Sequence, residues 1–278
     1  MYSFKFGAGS VKKPAIFLHI QKTAGTSIVY VARTHYKHEN IISHGDYLED
    51  FDQFPLKEKF FGTERILSKY GAIPFISGHF GYDYFKPFMN TRYSFTFLRN
   101  PIERVLSFYY FCKRRDPEEF DLYALAQQVS LDEFLQMGLT DPLVKDCIWN
   151  HQAWQLACGW GNSEQRSVSC FEPGKILDLA IRHLEDFSYI GFAETFEDDR
   201  DKIFKDLRIP IPKKEIISNA NHGRPTSKGL PRRTLNLLEE LTHLDSALYK
   251  EAWSRRNSFI KGLLWSIKTG RFTKSFFK

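Results

Sequence analysis

Phe17-Leu18-His19-Ile20-Gln21-Lys22-Thr23-Ala24-Gly25-Thr26-Ser27 decides how this chain is read. An apolar run of strand type stops at a short loop holding one lysine, one glycine and several small or hydroxyl side chains. A helical pattern begins at Ser27 or just before it. Strand, loop and helix N-terminus in that order bring backbone N–H groups together on an anion. Lys22 can reach the same anion as a mobile point charge. The loop is not a Walker A motif, because the G-x-x-x-x-G-K-[ST] spacing is absent and the lysine precedes the glycine. A nucleotide-type donor is implied, though not ATP by default. An ordinary βα turn, with Gly25 serving its backbone and Lys22 its solubility, accounts for the same residues.

A second segment shifts that balance: Tyr93-Ser94-Phe95-Thr96-Phe97-Leu98-Arg99-Asn100-Pro101-Ile102-Glu103-Arg104-Val105-Leu106-Ser107-Phe108-Tyr109-Tyr110. Tyr93, Phe95 and Phe97 suit a strand. Asn100 then Pro101 is a helix start, with asparagine at N-cap and proline at N1. Ile102, Val105, Leu106 and Tyr109 recur at helical spacing and mark a buried face. Arg99 is left at the carboxyl end of the strand, and Ser107 lies off the apolar stripe.

Together the two segments resemble the sulfotransferases that use 3′-phosphoadenosine 5′-phosphosulfate (PAPS), in particular the heparan sulfate 2-O- and 6-O-sulfotransferase-like carbohydrate sulfotransferases. The resemblance implies that the loop of Lys22, Thr23, Ala24, Gly25, Thr26 and Ser27 binds the 5′-phosphosulfate. It also implies that Arg99 and Ser107 bind the 3′-phosphate, a dianion well held by a planar guanidinium and a hydroxyl. Weaker family-like pieces follow in order: Asn150-His151-Gln152 through Gly159, Tyr189 to Glu194, and Leu244 to Tyr249. The likeness runs roughly from Pro14 to Ala252. The 2-O-sulfotransferases carry a Gly-His pair where this chain has Gly78-His79, and the histidine there is the catalytic base. His79 is thus the expected base, an alternative being a structural histidine satisfied by a carbonyl. His19, alternating with Leu18 and Ile20, reads instead as a core residue supporting the loop.

Composition bounds the class. The 278 residues, 42% hydrophobic with 26 phenylalanines, suffice for one large core. No Pro/Gly/Ser-rich linker, solenoid repeat or low-complexity tract divides them. One domain is expected over 1–258, followed by a tail over 259–278. A net charge of +6 favours anionic partners, and the anionic donor accounts for it without nucleic acid, for which no reading motif is evident. Met1 to Ser10 lacks the apolar core of a signal peptide, and no stretch is long enough to span a bilayer. A cytoplasmic enzyme is expected, unlike the membrane-anchored Golgi members of the family. Cys112, Cys147, Cys158 and Cys170 show no zinc or disulfide-scaffold spacing, so reduced thiols and no metal are expected.

The coarse layout is α/β, with a mostly parallel sheet covered by helices on both faces. Resemblance implies the P-loop-like sulfotransferase fold. A loop-rich region is expected over His44 to Pro55 and a helix near Leu56 to Lys69. Further helices are expected over Leu131–Met137, Val144–Ala157, from Pro173, over Phe196–Leu207 and over Leu235–Tyr249, with a strand over Ser188–Phe192. The basic, glycine-containing loop Asn219–Arg233 offers Arg224 and Lys228 to close over the nucleotide, or is a solvated surface loop. Lys113-Arg114-Arg115 suits an acidic acceptor or a solvated helix end. In the tail, lysines and Arg271 alternate with aromatics. That pattern suits either peripheral contact with an anionic membrane or a last helix packed on the domain.

The sequence therefore points to a PAPS-dependent O-sulfotransferase acting on a carbohydrate or other hydroxyl acceptor. His79 would take the acceptor proton, and Lys22 would stabilise the leaving phosphate. A P-loop kinase or NTPase and a catalytically silent glycan-binding protein are the alternatives. Oligomeric state is not legible.

Overall fold

The computed structural model describes residues 14–43, 70–159, 168, 172–211 and 226–269, with side chains through 258. Its centre is a five-stranded parallel sheet in the order β2-β3-β1-β4-β5: β1 Ala15–Leu18, β2 Ile41–Ile42, β3 Phe75–Gly78, β4 Tyr93–Leu98 and β5 Tyr189–Phe192. The helices are α1 Gly25–His35, α2 Tyr82–Met89, α3 Pro101–Cys112, α4 Asp121–Gln128, α5 Leu131–Thr140, α6 Pro142–Ile148, α7 His151–Ala157, α8 Pro173–His183, α9 Phe196–Asp206, α10 Arg232–Leu241 and α11 His243–Thr269.

A parallel sheet is buried on both faces, so its strands read as nearly unbroken apolar runs. Alternate residues of β1 accordingly feed two cores. Ile16 and Leu18 join Ile76, Leu98, Trp154 and Phe192 on one face. Ala15 and Phe17 join Phe75, Phe95, Phe97, Ile28, Val31 and Phe204 on the other. A third core lies among α3, α4, α5, α6 and α10 around Val105, Phe108, Phe134 and Leu238.

Strand order reverses at the centre, since β1 pairs with β3 on one side and β4 on the other. Leu18 is registered with Gly78 and with Thr96. The chain therefore leaves all three strands at one level, where the carboxyl ends of an α/β sheet open a crevice.

Two expected helices are each divided. The run Val144–Ala157 is split into α6 and α7 at Trp149-Asn150, because Asn150 is left-handed (φ 44°). Leu235–Tyr249 is split at Thr242, and Arg232 and Arg233 belong to α10 rather than to the preceding loop. The loop and helix expected over 44–69 lie outside the described residues, as do Arg224, Cys170 and the side chains of the tail beyond Ser258. Among the described residues no helix is long and apolar enough to cross a membrane.

Candidate active site

The loop after β1 is built by two left-handed residues, Lys22 (φ 67°) and Ala24 (φ 74°), which fold it back before α1. Ala24 is the N-cap of α1 and makes no side-chain cap bond, and the first turn has no acidic residue. The first amides of a helix lack intrahelical partners and carry the positive end of the dipole, so this end suits an anion. Thr23 is buried and its hydroxyl donates to the Ile20 carbonyl at 2.8 Å. It contributes its backbone to the loop rather than its side chain. The Ser27 N–H donates to Ala24 O at 3.2 Å.

Gly25 has no room for a side chain. A Cβ there would lie 2.1 Å from Cδ2 of His19. The His19 ring is buried, stacked 5.1 Å from Phe17, and its centroid is 4.4 Å from that of His79. Its main chain is the support for His79, because His79 Nδ1 lies 2.7 Å from the His19 carbonyl. A carbonyl only accepts, so Nδ1 carries the proton and Nε2 of the neutral ring holds the lone pair.

Arg99 follows β4, and its Nη1 donates to the Lys22 carbonyl at 3.0 Å. The loop also runs along α3. Buried Arg104 donates Nε to Gln21 O (3.1 Å) and Nη2 to Cys147 O (2.8 Å), while the Lys22 ammonium lies over Phe111. Arg104, Ser107 and Phe111 are spaced i, i+3 and i+7, so Ser107 falls on the same stripe between those two contacts. Arg99 and Arg104 lie close enough to Lys22 to act on its charge. Burial first, and then Arg99, lower the Lys22 ammonium from its ordinary value to about 8. Such a concentration of cations beside the N-terminus of α1 suits a multiply charged anion.

Lys228 is exposed, while the segment before it is pinned where Ser227 donates N–H and Oγ to Glu103 Oε1, both at 2.9 Å. The structure thus brings Lys22–Ser27, His79, Arg99 and Ser107 to one end of the sheet, and it leaves Lys228 at the surface beside α3.

The weaker motifs explain what holds this end together. Gln152 bonds to both main-chain groups of Arg99, accepting its N–H and donating to its carbonyl, each at 2.9 Å. The Asn100 N–H donates to Glu194 Oε1 (2.7 Å), and Tyr249 Oη donates to Glu194 Oε2 (3.0 Å). Gln155 Nε2 lies within 3.0–3.2 Å of the carbonyls of His19, His79 and Phe80. In turn α7 and α11 cap each other. Asn150 Oδ1 accepts from the amides of Leu244 and Asp245, and the Asp245 carboxylate accepts from those of Gln152 and Ala153. Burial pushes Asp245 up to about 6 against these bonds and the attraction of Arg104. Sequence reasoning missed Gln152, Gln155 and Arg104. The signal available was polar side chains next to apolar ones inside helical stretches, Gln152 and Gln155 beside Ala153, Trp154 and Leu156, and Arg104 beside Val105 and Leu106.

The model of the Sulfotransferase family matches residues 10–250. The chain belongs to the sulfotransferase family. Its chemistry is therefore sulfuryl transfer, and the parallel sheet is that expected of the fold. No curated protein matches the chain. Among the described residues no group of three or more His, Cys, Asp or Glu side chains could hold a metal ion. Cys112, Cys147 and Cys158 are free thiols, and burial pushes each up to about 12.

Proposed function

We propose that this sulfotransferase uses PAPS as donor and the hydroxyl of a carbohydrate as acceptor. The observation that carries the reading is the meeting of Lys22, His79 and Arg99 at the carboxyl ends of three adjacent strands. Arg99 is bonded to the backbone of Lys22, and His79 is bonded to the backbone of His19.

Bound PAPS supplies a sulfuryl group on a phosphate leaving group. In this reading Lys22 and the loop amides bind the 5′ end, and Arg99 with Ser107 binds the 3′-phosphate. Arg224 and Lys228 are proposed to contribute from the segment before α10. His79 Nε2 accepts the acceptor's hydroxyl proton, since Nδ1 already donates to His19. Lys22 meets negative charge developing on the leaving side, where a preorganised cation is most effective. No metal has a role. The carbohydrate acceptor rests on the likeness of Gly78-His79 and the Tyr93–Tyr110 segment to the heparan sulfate enzymes. The reading also places the enzyme in the cytoplasm.

The test is transfer of label from radiolabelled PAPS to a panel of hexoses, uronates, lipid-linked glycans and simple alcohols. Labelled glycan that disappears in His79→Ala is expected. Tight binding of the nucleotide with transfer to no hydroxyl would favour a silent scaffold instead. Magnesium-dependent binding of ATP in preference to PAPS would favour the NTPase alternative.

A further inference from the structure

The Lys22 ammonium sits 3.9 Å from the centroid of the Phe111 ring. The other cation–ring approaches among the described residues lie between 5.4 and 5.9 Å. Building on the reading that Lys22 meets the donor, we propose that Phe111 is a positioning residue for Lys22. Its ring face seats the ammonium beside the loop, in place of water, until an anion arrives.

Three observations lead there. The root of the lysine is fixed, because its backbone is left-handed and its carbonyl accepts from Arg99. That limits where the side chain can go. The surroundings also oppose a cation: burial, Arg99, Arg114 and Arg104 all disfavour the ammonium, and the Cys112 thiol on the same turn of α3 favours it only in its ionised form. Finally, the ring is anchored. Phe111 meets Tyr123 edge-on at 5.9 Å, and Arg115, paired with Glu119 at 2.6 Å, stands 5.5 Å from the Phe111 centroid. The negative face of an aromatic ring attracts an ammonium after water is removed. An incoming phosphosulfate offers a stronger partner, so the lysine can leave the ring without unfolding anything.

The experiment is calorimetric titration of the full chain with 3′-phosphoadenosine 5′-phosphate across neutral and alkaline pH. In the wild type, affinity falls above about pH 8, where Lys22 loses its proton in the unliganded protein. Phe111→Leu keeps an apolar neighbour but removes the ring. It is expected to move this alkaline limb down by about half to one pH unit, the worth of a cation–π contact. Phe111→Trp, with a stronger face, keeps the limb at or above its wild-type position. A limb in Phe111→Leu that coincides with the wild type overturns the proposal, as does a downward move in Phe111→Trp. Lys22→Met separates the two readings. If it binds the nucleotide as tightly as the wild type and with the same limb, the donor-binding reading of Lys22 fails. If it binds weakly without a limb while Phe111→Leu is unmoved, only the role of Phe111 fails.

Discussion

Gly25→Ala tests the coupling between the loop after β1 and the histidine pair. The added Cβ would lie 2.1 Å from Cδ2, 2.2 Å from Nε2 and 2.8 Å from Cγ of His19. Optimal carbon–carbon contact is ~3.5–4.0 Å, so the overlap is at least ~1.4 Å. Gly25 is not among the positive-φ residues, so the steric contact and not the backbone angle sets the cost. The His19 ring cannot swing into solvent, because it is buried between Phe17 and His79. Overpacking of this kind costs ~1–3 kcal/mol, and it displaces the strand end whose carbonyl orients His79. Denaturant unfolding of Gly25→Ala, His19→Ala and the double variant gives the coupling. The clash disappears when the ring is gone, so the double variant should recover ~1–3 kcal/mol relative to additivity. Turnover should fall in Gly25→Ala with little change of m-value. Strictly additive losses, or a Gly25→Ala protein as stable and active as the wild type, would refute the contact.

His79→Ala should lower kcat by ~10²–10⁴-fold, the usual range for a general base, with nucleotide affinity nearly unchanged; near-normal turnover sinks the assignment. The lowered Lys22 value also predicts a pH effect on the unliganded protein. Between about pH 8 and the ordinary lysine value of 10.5 the unfolded chain binds more protons than the folded one, so this group makes stability rise with pH across that window. Lys22→Met should flatten that rise in a pH series of urea melts; an unchanged slope assigns it to other groups. Asn150→Gly keeps the left-handed backbone but strips the acceptor from the Leu244 and Asp245 amides. It should cost ~1–3 kcal/mol in thermal or denaturant unfolding, and an unaltered midpoint would show that the mutual cap carries no stability.

Much of the fold around the candidate site was legible because local rules agree with it there. Asn100 caps α3 by accepting from the Glu103 N–H at 3.1 Å, with Pro101 in the first turn, as the Asn-Pro pair implies. Phe17 and Phe95 stack 4.7 Å apart between neighbouring strands, as two aromatic β-runs suggest. Resemblance supplied what spacing alone could not, the roles proposed for Arg99, Ser107 and His79. The breaks at Asn150 and Thr242 were not legible. Each lies within a run of helical periodicity, and the left-handed Asn150 makes its side-chain bonds to the amides of Leu244 and Asp245, far away in sequence. The same holds for Gln155, whose three carbonyl contacts lie just beyond the ends of β1 and β3 and leave no trace in local pattern. Arg104 breaks the apolar surroundings of a helix, but its partners Gln21 and Cys147 are equally remote.

The central claim is that the cationic end of this sheet reads a nucleotide carrying a 3′-phosphate. The most direct measurement compares the affinity of 3′-phosphoadenosine 5′-phosphate with that of adenosine 5′-phosphate, without metal, in the wild type and in Arg99→Ala. The wild type should prefer the 3′-phosphorylated nucleotide, and Arg99→Ala should lose ~1.5–3 kcal/mol for it, the worth of a hydrogen bond to a charged group. The loss for adenosine 5′-phosphate should be much smaller. Equal wild-type affinity for the two nucleotides, or equal losses for both in Arg99→Ala, would contradict it.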